Sequence, residues 1–416
     1  MKNVLGYDVI VIGGGSAGVA ATVAAAATGA RVALIESHAY LGGKATASHV
    51  GTVCGFYLRN EENRLTLASS GFPRIFEERL RQRCNTNAQC HKNGLWYLPY
   101  HPFDFKRLCD LLIMESKSSL YLHTCLSGVI LDGNKISGIR AISYDREVLI
   151  NASAVIDCTG EALVAELSGT ETRECDEYQS SAQVFTMDGV EAPGPAQIDL
   201  QLIREIRKAV AENRLDNMFS GISIVPGSHH KNSISIKINI PEKVTNKINK
   251  ITPIELMARG MIENISKFLS ENVSAFRNAR ISSIAPEAGI RTGRRLIGCE
   301  ELTEDAVLSC RKTTDGIANG AWPVELWHLG SRVNMQFFAA DDYYHIPAGC
   351  LKSKEISNLY FAGRHISATN TAIASARVIG TCLATGYAAG RLASASVAGK
   401  PYDHTIEEIR KEQVIL

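Results

Sequence analysis

The apolar positions near the start of the chain change period within about thirty residues. Val9, Ile10, Val11 and Ile12 form a β-branched run, too short for a helix and suited to a buried parallel strand. An alanine-rich stretch over 16–28 then predicts a helix stopped by Gly29. Residues 31–35 predict a second strand with Glu36 at its end. Farther along, 71–90 and 104–116 predict helices, the second more clearly amphipathic. A strand is predicted over 120–124, a polar meander over 128–150 with turns at 132–134 and 145–146, and an apolar strand over 152–157. The pattern changes character after Cys175. Residues 198–213 predict an amphipathic helix, and 233–240 alternate cleanly as a half-exposed strand. Thr252, Pro253 and Glu255 predict a capped helix start, and 279–285 a strand. Near the end, 358–362 predict a short strand and 371–389 a helix of small residues.

Between the first strand and helix, Gly13, Gly15 and Gly18 stand in G-x-G-x-x-G spacing. The first permits a tight turn, the second lets backbone approach a pyrophosphate, and the third lets helix and strand pack closely. Ser16 and Ala17 open a helix whose unpaired N–H groups favour phosphate, and Glu36 can accept hydrogen bonds from ribose hydroxyls. Such a glycine pattern alone is also an ordinary turn. With strand, helix, second strand and terminal acid in order, it predicts dinucleotide binding.

Composition narrows the class. The 416 residues predict two domains or one large α/β domain with insertions. Lys plus Arg (44) exceeds Asp plus Glu (43) by one, which gives no global electrostatic case for nucleic acid or anionic membrane. The eleven cysteines are scattered, with no C-x-x-C pair to suggest zinc or thiol redox chemistry, so no metal site is expected. With no secretory leader recognised and no membrane span read, a cytoplasmic setting is expected.

The Gly42–Gly43 pair after Glu36, the D-C-T-G-E run at 157–161 and the N-L-Y-F-A-G-R-H-I-S-A-T run at 358–369 resemble FAD-binding proteins of the glutathione-reductase type. With G-I-R-T-G-R-R-L-I-G at 289–298 and W-P-V-E-L-W-H at 322–328, the chain is similar to FAD-dependent oxidoreductases distantly related to fumarate reductase and succinate dehydrogenase flavoproteins. The resemblance implies an α/β fold: a Rossmann-like FAD-binding domain with an inserted α+β substrate domain. The former is expected at 1–55, 118–174 and 345–416, and the substrate or cap domain at 56–117 and 175–344. It also implies FAD contacts from Ser37, Gly43, Lys44, Ala45 and Thr46, from the Leu126 backbone, and from Thr159, Gly160 and Gly363. Arg364 stands where many relatives carry an acid and is a candidate partner of the pyrophosphate. The helix opening at Thr371, Ala372 and Ile373 is expected to point at the flavin C2 carbonyl.

Candidates for the chemistry are less specific. Cys54 is read either as a group beside the isoalloxazine ring or as a small buried residue. His49 is read either as a base or flavin attachment point, or as a structural histidine. Arg291, in a cluster with Arg294 and Arg295, suits a carboxylate substrate, the bland alternative being surface pairing with Glu300 and Glu301. His328, Tyr344 and His345 are candidates to take a substrate proton. The expected function is hydride transfer between a small substrate and flavin N5. No second dinucleotide motif is present, so reoxidation is expected from oxygen, a quinone or a protein acceptor. The alternatives are monooxygenation with an external reductant and a non-enzymatic electron-transfer subunit. Homo-oligomerisation is left open.

Overall fold

The computed structural model describes residues 4–414 except 63, 92, 176–178, 192–193, 243–247 and 328–332. Its centre is a seven-stranded sheet in the order Ser119–Tyr121, Val32–Ile35, Val4–Ile12, Arg146–Asp157, Lys135–Ser143, Thr124–Asp132, with Leu359–Phe361 also paired to Arg146–Asp157. The first four of these strands and Leu359–Phe361 run parallel, and the 124–157 meander is antiparallel. This is the Rossmann-like α/β fold the glycine motif predicts.

Val9 to Ile12 are essentially inaccessible to solvent, because helices cover one face of the strand and the meander side covers the other. The helix Ser16–Ala26 packs along Ile379–Val397. Glycines make that approach close: a Cβ on Gly386 would lie 2.2 Å from the Ala17 carbonyl oxygen, and one on Gly390 2.3 Å from that of Ala21. Helix 371–389, predicted as one element, is two helices, Asn370–Ala376 and Ile379–Val397. Val378 between them is extended (φ −70°, ψ 154°) and breaks the run.

A second core lies outside this body. Strands Ser181–Asp188, Ser233–Ile240, Ser223–Ile224 and Arg280–Ile284 form an antiparallel sheet. The alternation of 233–240 explains its two faces. Ile234, Ile236 and Ile238 turn inward against helices Pro195–Ala211 and Ile248–Asn272, each contributing about 1.5–3 kcal/mol of burial. Ser235 and Lys237 turn the other way, on the same face as Thr186 and Val184. That face approaches the parallel-sheet body: Val225 lies against Gly51, and Pro99 against Gly227.

Three details depart from expectation. The first predicted cap helix is Gly71–Cys84, ended by Asn85 in the left-handed region (φ 46°). It and Pro102–Ser116 contribute Phe72, Phe76, Phe105 and Leu108 to the core shared with Ser16–Ala26, so this part of 56–117 packs with the parallel-sheet body. The helix expected to open at Thr252 opens at Ile248, with Pro253 inside it. Glu255 makes no capping box, because its carboxylate takes the Ala288 N–H at 2.8 Å.

Among the described residues no helix is long and apolar enough to cross a membrane, and no His/Cys/Asp/Glu group is placed to hold a metal.

Candidate active site

A cavity of about 600 Å³ runs from the glycine turn to the start of the Ile379–Val397 helix. The turn is built by backbone. Gly13 N–H donates to Ile35 O at 2.8 Å and Gly42 N–H to Gly14 O at 2.8 Å, which holds the second glycine pair against the first. A Cβ on Gly18 would lie 1.8 Å from the Gly13 carbonyl oxygen, so Gly18 closes helix onto strand and does not itself line the cavity. Gly13, Gly15, Ser16, Ala17, Glu36, Ser37, Gly43, Lys44 and Ala45 all line it. Thr46 does not: its hydroxyl donates to Leu41 O at 2.7 Å and fixes the loop.

At the other edge of the sheet, Leu126, Thr159, Gly160, Gly363 and Arg364 line the same space. Fully buried Asp157 shapes this wall, accepting from the Thr159 hydroxyl (2.7 Å) and the Val164 N–H (2.8 Å), with His365 at 3.2 Å. Burial pushes its carboxyl up, but His365 and the Thr159 hydrogen bonds outweigh this and hold it below the usual range. Asp157 and His365 stand out in the sequence only as part of a motif. Arg364 crosses Gly160 and ion-pairs with Glu161. Its charge therefore already has a carboxylate partner.

Residues 8–414 match the family described as FAD dependent oxidoreductase. The chain belongs to the FAD-dependent oxidoreductase family. A search of curated proteins finds no match. Among solved structures, the chain is similar in fold to BexE, studied for oxidation during BE-7585A biosynthesis (12% identity, 97% of this chain and 66% of that one, TM-score 0.51). It is also similar to CabE, an aromatic hydroxylase from angucycline biosynthesis (10% identity, 97% and 66%, TM-score 0.50). A geranylgeranyl bacteriochlorophyll reductase-like protein from Thermoplasma acidophilum aligns at 13% identity over 98% of this chain and 83% of that one, TM-score 0.48.

The cavity suits the family's cofactor, FAD: it has a glycine-lined turn at a helix N-terminus and Glu36 in its wall. Glu36 accepts from the Gly14 N–H (2.6 Å) and from the His38 N–H and ring (both 2.8 Å). Burial works against its charge, and these bonds, led by His38, more than restore it. His38 and Glu287 were not foreseen. Glu287 ion-pairs with both His38 and Lys44, bridging the cavity mouth from the loop after Arg280–Ile284. The bonds to Glu287 and Glu36 raise His38 to about 10, and against its burial His38 and Lys44 draw Glu287 down to about 2. No motif announces Glu287, which lies more than 240 residues from Lys44. Lys44, expected among the FAD contacts, thus already has a carboxylate partner.

The opposite end corrects another expectation. Thr371, Ala372 and Ile373 do not line the FAD cavity; Arg377, Ile379 and Cys382 do. The break at Val378 makes Ile379–Val397 the helix that opens there. Gly380 N–H donates to the Cys54 carbonyl at 2.9 Å, and a Cβ on Gly380 would lie 2.5 Å from Gly55 backbone. Cys54 therefore stands beside this helix start. Its thiol is pushed up to about 12 by burial, with Glu325 adding to the effect, which keeps it protonated.

The remaining candidates divide. Tyr344 is wholly buried, its hydroxyl 2.8 Å from Ser375 Oγ. His345 is 5% exposed and its Nδ1 meets the Thr313 backbone at 3.0 Å. Both pack in the core and neither lines the cavity, because their strand Tyr344–Pro347 pairs inside the protein with Gly316–Gly320. His49 sits outside the lining near Lys106 and His101, with φ 48°. His328 lies outside the described residues. Arg294 lines the cavity and pairs with Glu166, while Arg295 is buried; neither pairs with Glu300 or Glu301.

Arg291 reaches a cluster next to Arg377. Its guanidinium donates to Ser180 O and lies over the Trp327 ring at 4.4 Å. Lys237 Nζ lies over the same ring at 4.7 Å. Arg377 donates to Gln179 at 2.9 Å and stands 3.6 Å from Glu325, whose carboxylate also accepts from Trp322 Nε1 at 3.2 Å.

Proposed function

We propose that this FAD-dependent oxidoreductase moves a hydride between a small organic substrate and its cofactor, with oxygen or another acceptor taking up the electrons. Bound FAD would supply the two-electron acceptor. The observation that carries the reading is the end of the cavity at Arg377. There a nineteen-residue helix opens with its positive end, and a guanidinium stands beside it. Positive charge at that place favours the extra electron density of a reduced cofactor. Gly13, Gly15, Ser16 and Glu36 would hold the adenosine diphosphate half, and Thr159, Gly160 and Gly363 the opposite wall. Glu287 would close over them through His38 and Lys44. Arg291 would orient the substrate from the roof side.

Monooxygenation is the competing reading, because CabE, a hydroxylase, shares the fold. Anaerobic mixing separates the two. Bleaching of the yellow holoenzyme by an amine or hydroxy-acid substrate alone is the expected result. Bleaching only by NAD(P)H would replace the proposal with the monooxygenase.

A further inference from the structure

Two cations, Lys237 and Arg291, stand together near the end of the cavity at Arg377, with Glu325 the carboxylate that acts on both among the described residues. Lys237 projects from the face of Ser233–Ile240 opposite the isoleucine core. Arg291 approaches from the loop that follows Ala288. They share one indole ring, Trp327. Arg377 has Glu325 as its carboxylate. Among the described residues neither Lys237 nor Arg291 makes an ion pair, and Lys237 donates no hydrogen bond. Arg291 spends one guanidinium N–H on Ser180 O, leaving the rest of its fork free for a planar acceptor. Two adjacent, partly buried cations repel each other and lose hydration, a cost that Glu325 offsets in part and an anionic ligand would offset further. Burial first, then a neighbouring arginine, presses each group toward the neutral form against the pull of Glu325, Lys237 to about 8 and Arg291 to about 9. The thiol of Cys54 stays protonated and brings no counter-charge.

We infer that Lys237 and Arg291 together bind the carboxylate of the substrate, making this an oxidoreductase of organic acids. The inference rests on the reacting end lying at Arg377. Arg291 supplies a two-pronged planar contact and Lys237 a point charge. The two come from different parts of the structure. Arg291 lies on the chain leaving the cavity wall at Ile290, and Lys237 lies on the roof sheet. Substrate binding would therefore draw the roof onto the cofactor body and expel water from the reacting end.

Benzoate and succinate, with benzamide and succinamide as neutral counterparts, test this on the oxidised holoenzyme. Binding is read by calorimetry and by perturbation of the flavin absorption band. Benzoate or succinate is expected to bind, and its neutral counterpart to bind at least about tenfold more weakly. Lys237→Met and Arg291→Met should each lose about tenfold or more in acid affinity, with FAD content and the unliganded spectrum unchanged. Lys237→Arg should recover part of the loss, which a merely structural role would not predict. Equal affinity for acid and amide, wild-type affinity in both methionine variants, or no binding of either acid overturns the inference. These measurements need no turnover, so they stand or fall separately from the hydride-transfer reading, which only the bleaching experiment addresses.

Discussion

The two ends of the cavity are made in different ways. The adenosine end comes mainly from one contiguous stretch, Gly13 to Lys44, whose parts are held by their own backbone hydrogen bonds and by Glu36. The end at Arg377, which we propose as the reacting end, is lined by Arg377 and backed by Cys54, Lys237, Arg291 and Glu325, from separate places in the sequence. The first needs only local geometry, since a dinucleotide phosphate is the same in every relative. The second must fit one substrate, so its residues sit on elements free to vary independently.

The largest effect is expected where the local end is broken. Gly18→Ala places a methyl 1.8 Å from a carbonyl oxygen, and backbone there cannot yield without opening the turn. It should abolish FAD retention and cost about 3 kcal/mol of stability, measured by flavin content after gel filtration and by denaturant unfolding. A variant that keeps stoichiometric FAD would contradict the role given to this contact.

Next comes Arg377→Met, which removes positive charge from the reacting end only. FAD content should hold, while the two-electron potential falls by on the order of 30 mV, equivalent to about 1.4 kcal/mol. Dye-equilibrated titration reads this, and an unchanged potential would detach Arg377 from the cofactor.

Glu287→Gln tests the clasp at the adenosine end. FAD should dissociate several-fold faster, because the pairs with Lys44 and His38 are partly exposed and surface pairs contribute modestly. The pH dependence has a definite sign. The raised His38 contributes stability that is full below its ordinary 6.5 and is lost as pH rises through about 10. The lowered Glu287 contributes stability that is full above its ordinary 4.5 and is lost as pH falls toward about 2. Wild-type Tm should therefore gain most over Glu287→Gln between pH 4.5 and 6.5. A pH-independent difference would remove the clasp.

The smallest effect belongs to neither end. Tyr344→Phe deletes the bond to Ser375 and should cost about 1 kcal/mol in unfolding, with substrate bleaching rates unaltered. A loss of bleaching would return Tyr344 to the candidate catalytic groups.

Much of the cofactor site was legible because its parts carry period and spacing. Val9–Ile12 read as a buried strand, Gly18 in that context as a close packing point, and the acid at 36 as a strand-end acceptor. Lys237 looked like one polar position in an alternating strand, and Glu287 like one loop acid. The Arg377–Val378 break hid inside a run of small residues that reads as continuous helix. Tyr344 and His345 carried the chemistry of proton transfer, yet their strand is interior.

The sequence by itself determined a dinucleotide site, the parallel sheet and the glycine turn, since these follow from local backbone requirements that only certain residues satisfy, while FAD came from the family resemblance. Tertiary structure decided which helix opens on the cavity, which charges are already paired and which cations meet over Trp327. Those depend on burial and on distances between residues far apart in the chain, and no local pattern encodes either.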